Sequence, residues 1–357
     1  MAEHFHPLRV AEIVPETDEA MSVRFDVPAE LASAFKFKAG QHLTLKADID
    51  GEEVRRNYSL CVAPGEGLVK VTVKRIAGGV FSNWVAESLR AGDEIDVMTP
   101  HGSFTRPFDG AAARRYVGIA GGSGITPIMS LIRTALSEEP ASRFTLFYGN
   151  RDSQSVIFLE ALAGLKDRYM GRLEIFHFLA EEEGDVDLFN GMLTKERVAE
   201  AVEHLLVDPK AVDAWFICGP GPMMDAAEAV LHQRDIAHER IHIERFTAGR
   251  PSAAMAAQMA ALQEEAAGQT VSVTLDGRTR KIKFDGSTIL DSARAAGLPA
   301  PFACKAGVCA TCRAKVTKGL VEMAVHYGLT EQEIADGYVL TCQSVPVGDG
   351  VAVDYDA

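Results

Sequence analysis

Four cysteines near the end of this 357-residue chain, Cys304, Cys309, Cys312 and Cys342, stand as Cys-x4-Cys-x2-Cys and, after a long interval, Cys. This is the plant-type spacing for a [2Fe–2S] cluster: three thiolates on one tight loop, with a distant fourth closing the cage. A zinc ribbon requires two short Cys-x2-Cys knuckles, and the first interval here is too long for one. Mostly small residues (Ala306, Gly307, Val308, Ala310 and Thr311) separate the three clustered ligands. Such a loop can turn backbone N–H groups toward the sulfurs. The chemistry expected of these residues is one-electron transfer.

Three further constellations lie upstream. Arg56-Asn57-Tyr58-Ser59 combines a cation suited to a pyrophosphate, a ring that can pack on a planar heterocycle, and a hydroxyl that can bond a ring nitrogen. Gly78-Gly79-Val80-Phe81-Ser82 follows on the same domain, and paired glycines ahead of a helix let N–H groups approach a phosphate. The third is Gly121-Gly122-Ser123-Gly124-Ile125-Thr126-Pro127, after an apolar strand and before a helix. It departs from Gly-x-Gly-x-x-Gly by ending in Pro127, yet its context of strand, glycine turn and helix suits a dinucleotide pyrophosphate. Cys218-Gly219-Pro220 ends another strand of the same sheet, at the edge where such sheets bind ligands.

Elements that could position these residues follow from the hydrophobic pattern. Residues 8–108 read as short β segments: LRVAEIVPE, MSVRFDVP, HLTLKADID, NYSLCVAP, LVKVTVKRI and EIDVMTP. One helix, SNWVAESLRAG, interrupts them, with Ser82 expected as its N-cap and Gly92 as its stop. A small antiparallel barrel is expected. From residue 114 strands and helices alternate, as in a parallel sheet covered on both faces. An alanine-rich stretch follows, bracketed by Gly249-Arg250-Pro251 and Gly268, and reads as a semi-rigid helical tether. Met255, Met259 and Leu262 give that helix a modest apolar stripe, by which it could dock in part on one domain. After residue 270 a hairpin, a helix and the cysteine loop suggest a β-grasp ferredoxin. The expected domains are therefore 1–110, 111–247, a linker at 248–269, and 270–357.

Composition narrows the function classes. With 47% hydrophobic and 24% charged residues the chain is globular. Its formal net charge of −14 opposes nucleic-acid binding. Residues 270–357 are almost balanced in charge, so nearly all of the acidity lies upstream. Neither a signal peptide nor a membrane-length apolar run stands out, so no membrane association is expected. Only Cys61 and Cys218 lie outside the cluster pattern, which argues against a disulfide framework and for the cytoplasm.

In their order along the chain, Arg56-x-Tyr58-Ser59, the Gly78–Ser82 segment, the Gly121–Pro127 loop and Cys218-Gly219 resemble the ferredoxin–NADP reductase superfamily. With a ferredoxin domain at the C-terminus, the whole resembles the reductase components of multicomponent oxygenases. Residues 148–158, 242–246 and 326–344 draw the likeness toward one branch of that group. The resemblance implies FAD on the barrel, held by Arg56, Tyr58, Ser59, Gly78, Gly79, Val80 and Ser82, with Phe246 a candidate to cover the flavin. It implies a nicotinamide nucleotide at Gly121, Gly122, Gly124, Thr126, Cys218 and Gly219. It also implies that Ser59, Cys218 and Glu244 converge where hydride passes. Arg151 lies where the superfamily discriminates NADP from NAD, and its guanidinium favours NADPH, with NADH the alternative. In the ferredoxin part Lys305 replaces the usual Arg, and Ala310 replaces a small hydroxyl residue. The implied partner is an oxygenase. A reductase of a steroid or aromatic-ring hydroxylase, the electron-transfer subunit of a dihydroorotate dehydrogenase, and a non-catalytic redox sensor are the competing readings.

Overall fold

A computed structural model describes residues 5–247 and 253–357. These form two compact units: Pro7–Val54 with Tyr58–Glu244, and a second made chiefly of Arg245–Ala357 with the short Arg55–Asn57 segment.

In the first unit, alternating apolar residues build an antiparallel barrel of β1 (Phe5–Thr17), β2 (Ala20–Asp26), β3 (His42–Ile49), β4 (Glu52–Ser59), β5 (Val69–Lys74) and β6 (Glu94–Met98). Their order is β4-β3-β6-β1-β2-β5. Leu8, Val10, Val23, Leu43, Leu45, Val71 and Val97 fill its interior. The strand expected at NYSLCVAP begins earlier, at Glu52, and ends at Ser59. Its early start follows from Asp50-Gly51, both at positive φ, which turn β3 directly into β4. Helix α1 (Val80–Glu87) is capped by Gly79, not by Ser82. The Ser82 hydroxyl lies one turn inside and accepts from the Ile76 N–H at 3.2 Å.

The parallel sheet comprises β7 (Arg115–Gly121), β8 (Arg143–Asn150), β9 (Leu173–Leu179), β10 (Ala214–Cys218) and β11 (Ile241–Glu244), in the order β11-β10-β7-β8-β9. Helices α2 (Ile125–Glu138), α3 (Leu159–Arg168), α4 (Lys195–Leu205) and α5 (Gly221–Gln233) are the crossovers. Between β7 and β10 the strand order reverses, which opens a crevice at the carboxyl ends of the strands. Barrel and sheet share one unit: the Ser130 hydroxyl of α2 donates to Val62 O at 2.6 Å, and Arg133 pairs with Glu66 at 3.1 Å. Glu139 is fully buried, but Arg114, Tyr116, Ser142 and the Asp109 N–H all donate to its carboxylate. Its charge is therefore satisfied.

In the second unit α6 (Ala253–Ala266) does not stand free as a spacer. Met259 and Ala266 are buried in the core of the following sheet, and Gln263 donates to Ser287 O at 2.6 Å. Met255, by contrast, is exposed. The expected Gly249-Arg250-Pro251 bracket lies outside the described residues. The sheet runs β13-β12-β16-β14-β15, from β12 (Thr270–Leu275), β13 (Arg278–Lys283), β14 (Arg313–Met323), β15 (Tyr338–Leu340) and β16 (Ser344–Asp354). Helix α7 (Ile289–Ala295), capped by the Thr288 hydroxyl, and the short α8 (Glu331–Ala335) complete a β-grasp. Strand β12 pairs antiparallel with β13 and parallel with β16. Among the described residues no helix is long and apolar enough to cross a membrane.

Candidate functional site

Backbone pairing brings three strand ends together in the first unit. Cys218 ends β10 opposite Ala120 of β7 on one side and Glu244 of β11 on the other. Ser59 ends β4, and its hydroxyl donates to Glu244 Oε2 at 3.3 Å across 185 residues of sequence. Ser59, Cys218 and Glu244 therefore meet at one place. Burial pushes the Cys218 thiol well above its ordinary pKa, and the neighbouring Glu244 charge adds to the effect. Cys218 thus stays a neutral packing group.

The glycine loops beside it interlock. A Cβ on Gly124 would stand 2.0 Å from Cys218 O, one on Gly121 2.5 Å from Pro220 Cδ, and one on Gly219 2.6 Å from Met223 Cε. Only glycine permits this approach, which lets the backbone of the two loops close on one another at the entrance to α2. Gly122, at φ +49°, accepts through its carbonyl from the Tyr148 hydroxyl at 3.1 Å. The Thr126 hydroxyl turns back to Ser123 O at 3.0 Å. This cradle fits a dinucleotide pyrophosphate.

On the barrel, Gly78 takes φ +73°, and a Cβ on Gly79 would strike Ser82 Oγ at 2.6 Å. These glycines, with exposed Val80, form the open entrance to α1. Tyr58 is half-buried with its ring 5.8 Å from Phe81. Arg56, exposed, falls in the Arg55–Asn57 segment of the second unit, where it donates to Arg55 O at 2.7 Å. A half-buried aromatic next to a buried serine and a glycine-lined helix start suits a flavin dinucleotide. Phe246 belongs to the second unit and is exposed. Arg151, at the end of β8, is held by carboxylates: Asp152 at 3.0 Å, Glu19 at 3.6 Å and Glu181 at 4.0 Å.

In the second unit the cysteines stand as two pairs. The Cys304 and Cys309 thiols lie close enough to shift each other's pKa, and so do those of Cys312 and Cys342. Among the described residues no three metal-binding side chains converge on a single ion. Two pairs instead suit two iron atoms with two thiolates each. Backbone N–H groups aim at the sulfurs: Ala306 donates to Cys304 Sγ at 3.3 Å, and Gly307 donates toward Cys342. Lys305, Gly307 and Ala310 all take positive φ, which is how so short a loop turns its amides inward.

Sequence reasoning missed several residues here. A Cβ on Gly328 would fall 2.9 Å from Ala310 N, so this glycine lets the distal segment close over the cysteine loop. Thr341 bridges the Tyr355 hydroxyl, at 2.7 Å, to Cys312 O, at 2.9 Å. In the first unit, His42 and His101 form a backbone bridge pair, with their Nε2 atoms 3.0 Å apart. His42 Nδ1 stands 3.7 Å from Glu244 Oε1. No local spacing signals these contacts.

Three domain families match the chain. The oxidoreductase FAD-binding domain family matches residues 7–106, the oxidoreductase NAD-binding domain family 119–229, and the 2Fe-2S iron-sulfur cluster binding domain family 273–347. The chain is 43% identical to a subunit of the 1,2-phenylacetyl-CoA epoxidase of Escherichia coli, over 99% of this chain and 98% of that one. It is 37% identical to the ferredoxin reductase component of 3-ketosteroid-9-alpha-monooxygenase of Mycobacterium tuberculosis, over 100% and 97%. Its fold is that of phthalate dioxygenase reductase, with a TM-score of 0.61, 23% identity and 98% of each chain covered.

Proposed function

Because the chain belongs to the family of flavin- and iron–sulfur-containing reductases of multicomponent oxygenases, we propose that it carries electrons from NADPH to an oxygenase that epoxidises phenylacetyl-CoA. When bound, the cofactors supply hydride acceptance by FAD and single-electron export by the [2Fe–2S] cluster. The remaining work belongs to the chain's own residues. Ser59 would hold the flavin N5 region by its hydroxyl. Cys218, kept neutral by burial, would pack at the nicotinamide. Glu244 would orient Ser59 and offset positive charge developing on the nicotinamide ring. Hydride transfer needs close, aligned rings rather than a strong acid, so positioning is the main contribution.

The meeting of Ser59, Cys218 and Glu244 at the ends of β4, β10 and β11 supports the redox reading. Identity spread over nearly the whole length of the Escherichia coli epoxidase chain supports the choice of acceptor. The two cysteine pairs would hold the two irons and form the exit for electrons. We assign the FAD domain to residues 1–110, the nucleotide domain to 111–247 and the ferredoxin domain to 270–357, with the connecting segment at 248–269 contributing α6 to the ferredoxin core. Free thiols and the absence of a membrane-spanning helix among the described residues suit the cytoplasm. A second reading, favoured by the steroid monooxygenase relative, makes the acceptor a different hydroxylase, with NADH as donor.

The test uses Cys342→Ala together with Ser59→Ala and Cys218→Ala. Cys342→Ala should abolish electron delivery to the oxygenase while NADPH-dependent ferricyanide reduction survives. The other two should slow flavin reduction with the cluster spectrum unchanged. Loss of both activities in a folded Cys342 variant would overturn the electron path. Oxygen consumption with purified oxygenases separates the two choices of acceptor.

A further inference from the structure

Two cations at the nucleotide loops share one carboxylate, that of Glu19. Strand β5 ends at Lys74, which pairs in register with Ala20, the first residue of β2. The preceding Glu19 accepts at its carbonyl from the Arg75 N–H at 2.6 Å, so the turn before β2 is fixed against the end of β5. Lys74 Nζ stands 3.7 Å from Glu19 Oε2. The other carboxylate oxygen, Oε1, lies 3.6 Å from Arg151 Nη1.

Each cation stands where a phosphate is expected. A Cβ built on Gly122 would meet Lys74 Nζ at 3.7 Å, so the ammonium borders the glycine loop that fits a pyrophosphate. Arg151 follows β8, the place from which an arginine reaches a ribose 2′-phosphate in such sheets. Its guanidinium is oriented through Nε. Asp152 Oδ2 holds that nitrogen at 3.0 Å, and Glu181 lies 4.0 Å from it. Asp152 is itself anchored, because its Oδ1 accepts from the Ser155 N–H at 2.8 Å. Glu19 is held less firmly. Its two contacts are longer than the roughly 2.7–2.9 Å of a charge-assisted hydrogen bond. Its side chain is 44% exposed, so water competes for both contacts. A phosphate monoester brings about two negative charges and three acceptor oxygens to the same cations, and displaces it.

We propose that Glu19 is a built-in competitor for the phosphates of the nucleotide and narrows the preference for NADPH over NADH, with Lys74 a binding residue for the pyrophosphate. This rests on the redox reading above. NADPH places phosphate at both cations and removes Glu19 from both. NADH places phosphate only at Lys74, and Glu19 keeps its contact with Arg151 beside the 2′-hydroxyl. The carboxylate therefore opposes NADPH through two contacts and NADH through one. Only non-covalent contacts are exchanged.

Isothermal titration calorimetry of the oxidised holoprotein with NADP⁺ and with NAD⁺ tests this without turnover. Releasing one exposed ion pair changes an affinity about two- to threefold. Glu19→Gln should therefore tighten NADP⁺ about fivefold and NAD⁺ about twofold. A merely structural role for Glu19 would weaken both. Lys74→Gln, added to Glu19→Gln so that no freed carboxylate falls back on Arg151, should weaken both nucleotides by the same factor, about threefold. Lys74→Arg in that background should restore them. Flavin and cluster absorption shows that each variant is folded and loaded. Unchanged or weaker NADP⁺ binding in Glu19→Gln, equal tightening of both nucleotides, or NAD⁺ binding indifferent to Lys74→Gln would overturn the inference. Failure of NADPH to bleach the wild-type flavin would overturn the redox reading instead.

Discussion

Replacing Gly124 with alanine isolates what the interlocked loops contribute. Gly124 sits in ordinary helical backbone, at φ −61° and ψ −12°, so alanine carries no conformational penalty there. Its Cβ would stand 2.0 Å from Cys218 O, 2.3 Å from Cys218 C and 2.7 Å from Gly219 N. Ordinary contact begins at 3.4 Å, so the entrance to α2 and the end of β10 must separate by about 1.4 Å, the difference between 3.4 and 2.0. All three obstacles are backbone and cannot swing aside. Overpacking of this kind costs about 1–3 kcal/mol of stability. The larger effect falls on chemistry, because a misplacement of about 1 Å at a reacting site costs on the order of 100-fold in rate. Anaerobic stopped-flow bleaching of the flavin by NADPH should therefore slow about 100-fold. Photochemical reduction, which bypasses the nucleotide, should proceed normally, and the cluster spectrum should not change. Gly122→Ala is the control: its Cβ meets only Lys74 Nζ at 3.7 Å, so its cost is the left-handed backbone, about 1 kcal/mol. If Gly124→Ala bleaches within threefold of wild type, or Gly122→Ala is the slower of the two, the steric argument fails.

Arg151→Ala should lower the kcat/KM preference for NADPH over NADH at least tenfold, and Glu19→Gln, which frees the guanidinium from one carboxylate, should raise it; steady-state kinetics with both nucleotides decides. A buried, neutral His101 makes stability depend on pH. With a pKa of about 3 folded and about 6.5 unfolded, the unfolded chain binds the extra proton between those values, so stability present above pH 6.5 is lost as pH falls toward 3. At pH 5 that amounts to about 2 kcal/mol, which denaturant melts of wild type and His101→Gln at pH 7.5 and 5 should reveal as a shallower pH dependence in the variant. Gly328→Ala should displace the cysteine loop and alter the visible spectrum of the cluster while leaving flavin reduction by NADPH intact.

The features legible in the chain alone were local ones. The cysteine spacing, the paired glycines before helices, and the change from even strands to alternating strands and helices each lie within a few dozen residues. Each arises from short-range geometry: what a tight loop, a turn or a helix start requires of its own residues. Even so, local pattern misplaced the cap of α1 and the start of β4. There the glycines at 78–79 and the Asp50-Gly51 turn outweighed propensity. The alanine-rich helix read as a tether whose Met255, Met259 and Leu262 stripe left partial docking open; Met259 does enter the core and Leu262 packs against it, but Ala266, which enters too, carries no signal in an alanine-rich run.

Contacts made by crossing the sheet belong to the tertiary structure. Ser59 and Glu244, 185 residues apart, meet because β10 and β11 pair in parallel and β4 ends beside them. His42 reaches His101 because a barrel strand and a later loop exchange backbone hydrogen bonds. Sequence alone determined that electrons would pass through a flavin, a nucleotide and an iron–sulfur cluster, since each group demands a local loop of characteristic residues. Only the fold decided which carboxylate and which imidazole stand behind the serine, since those depend on strand register and on the pairing of distant strands.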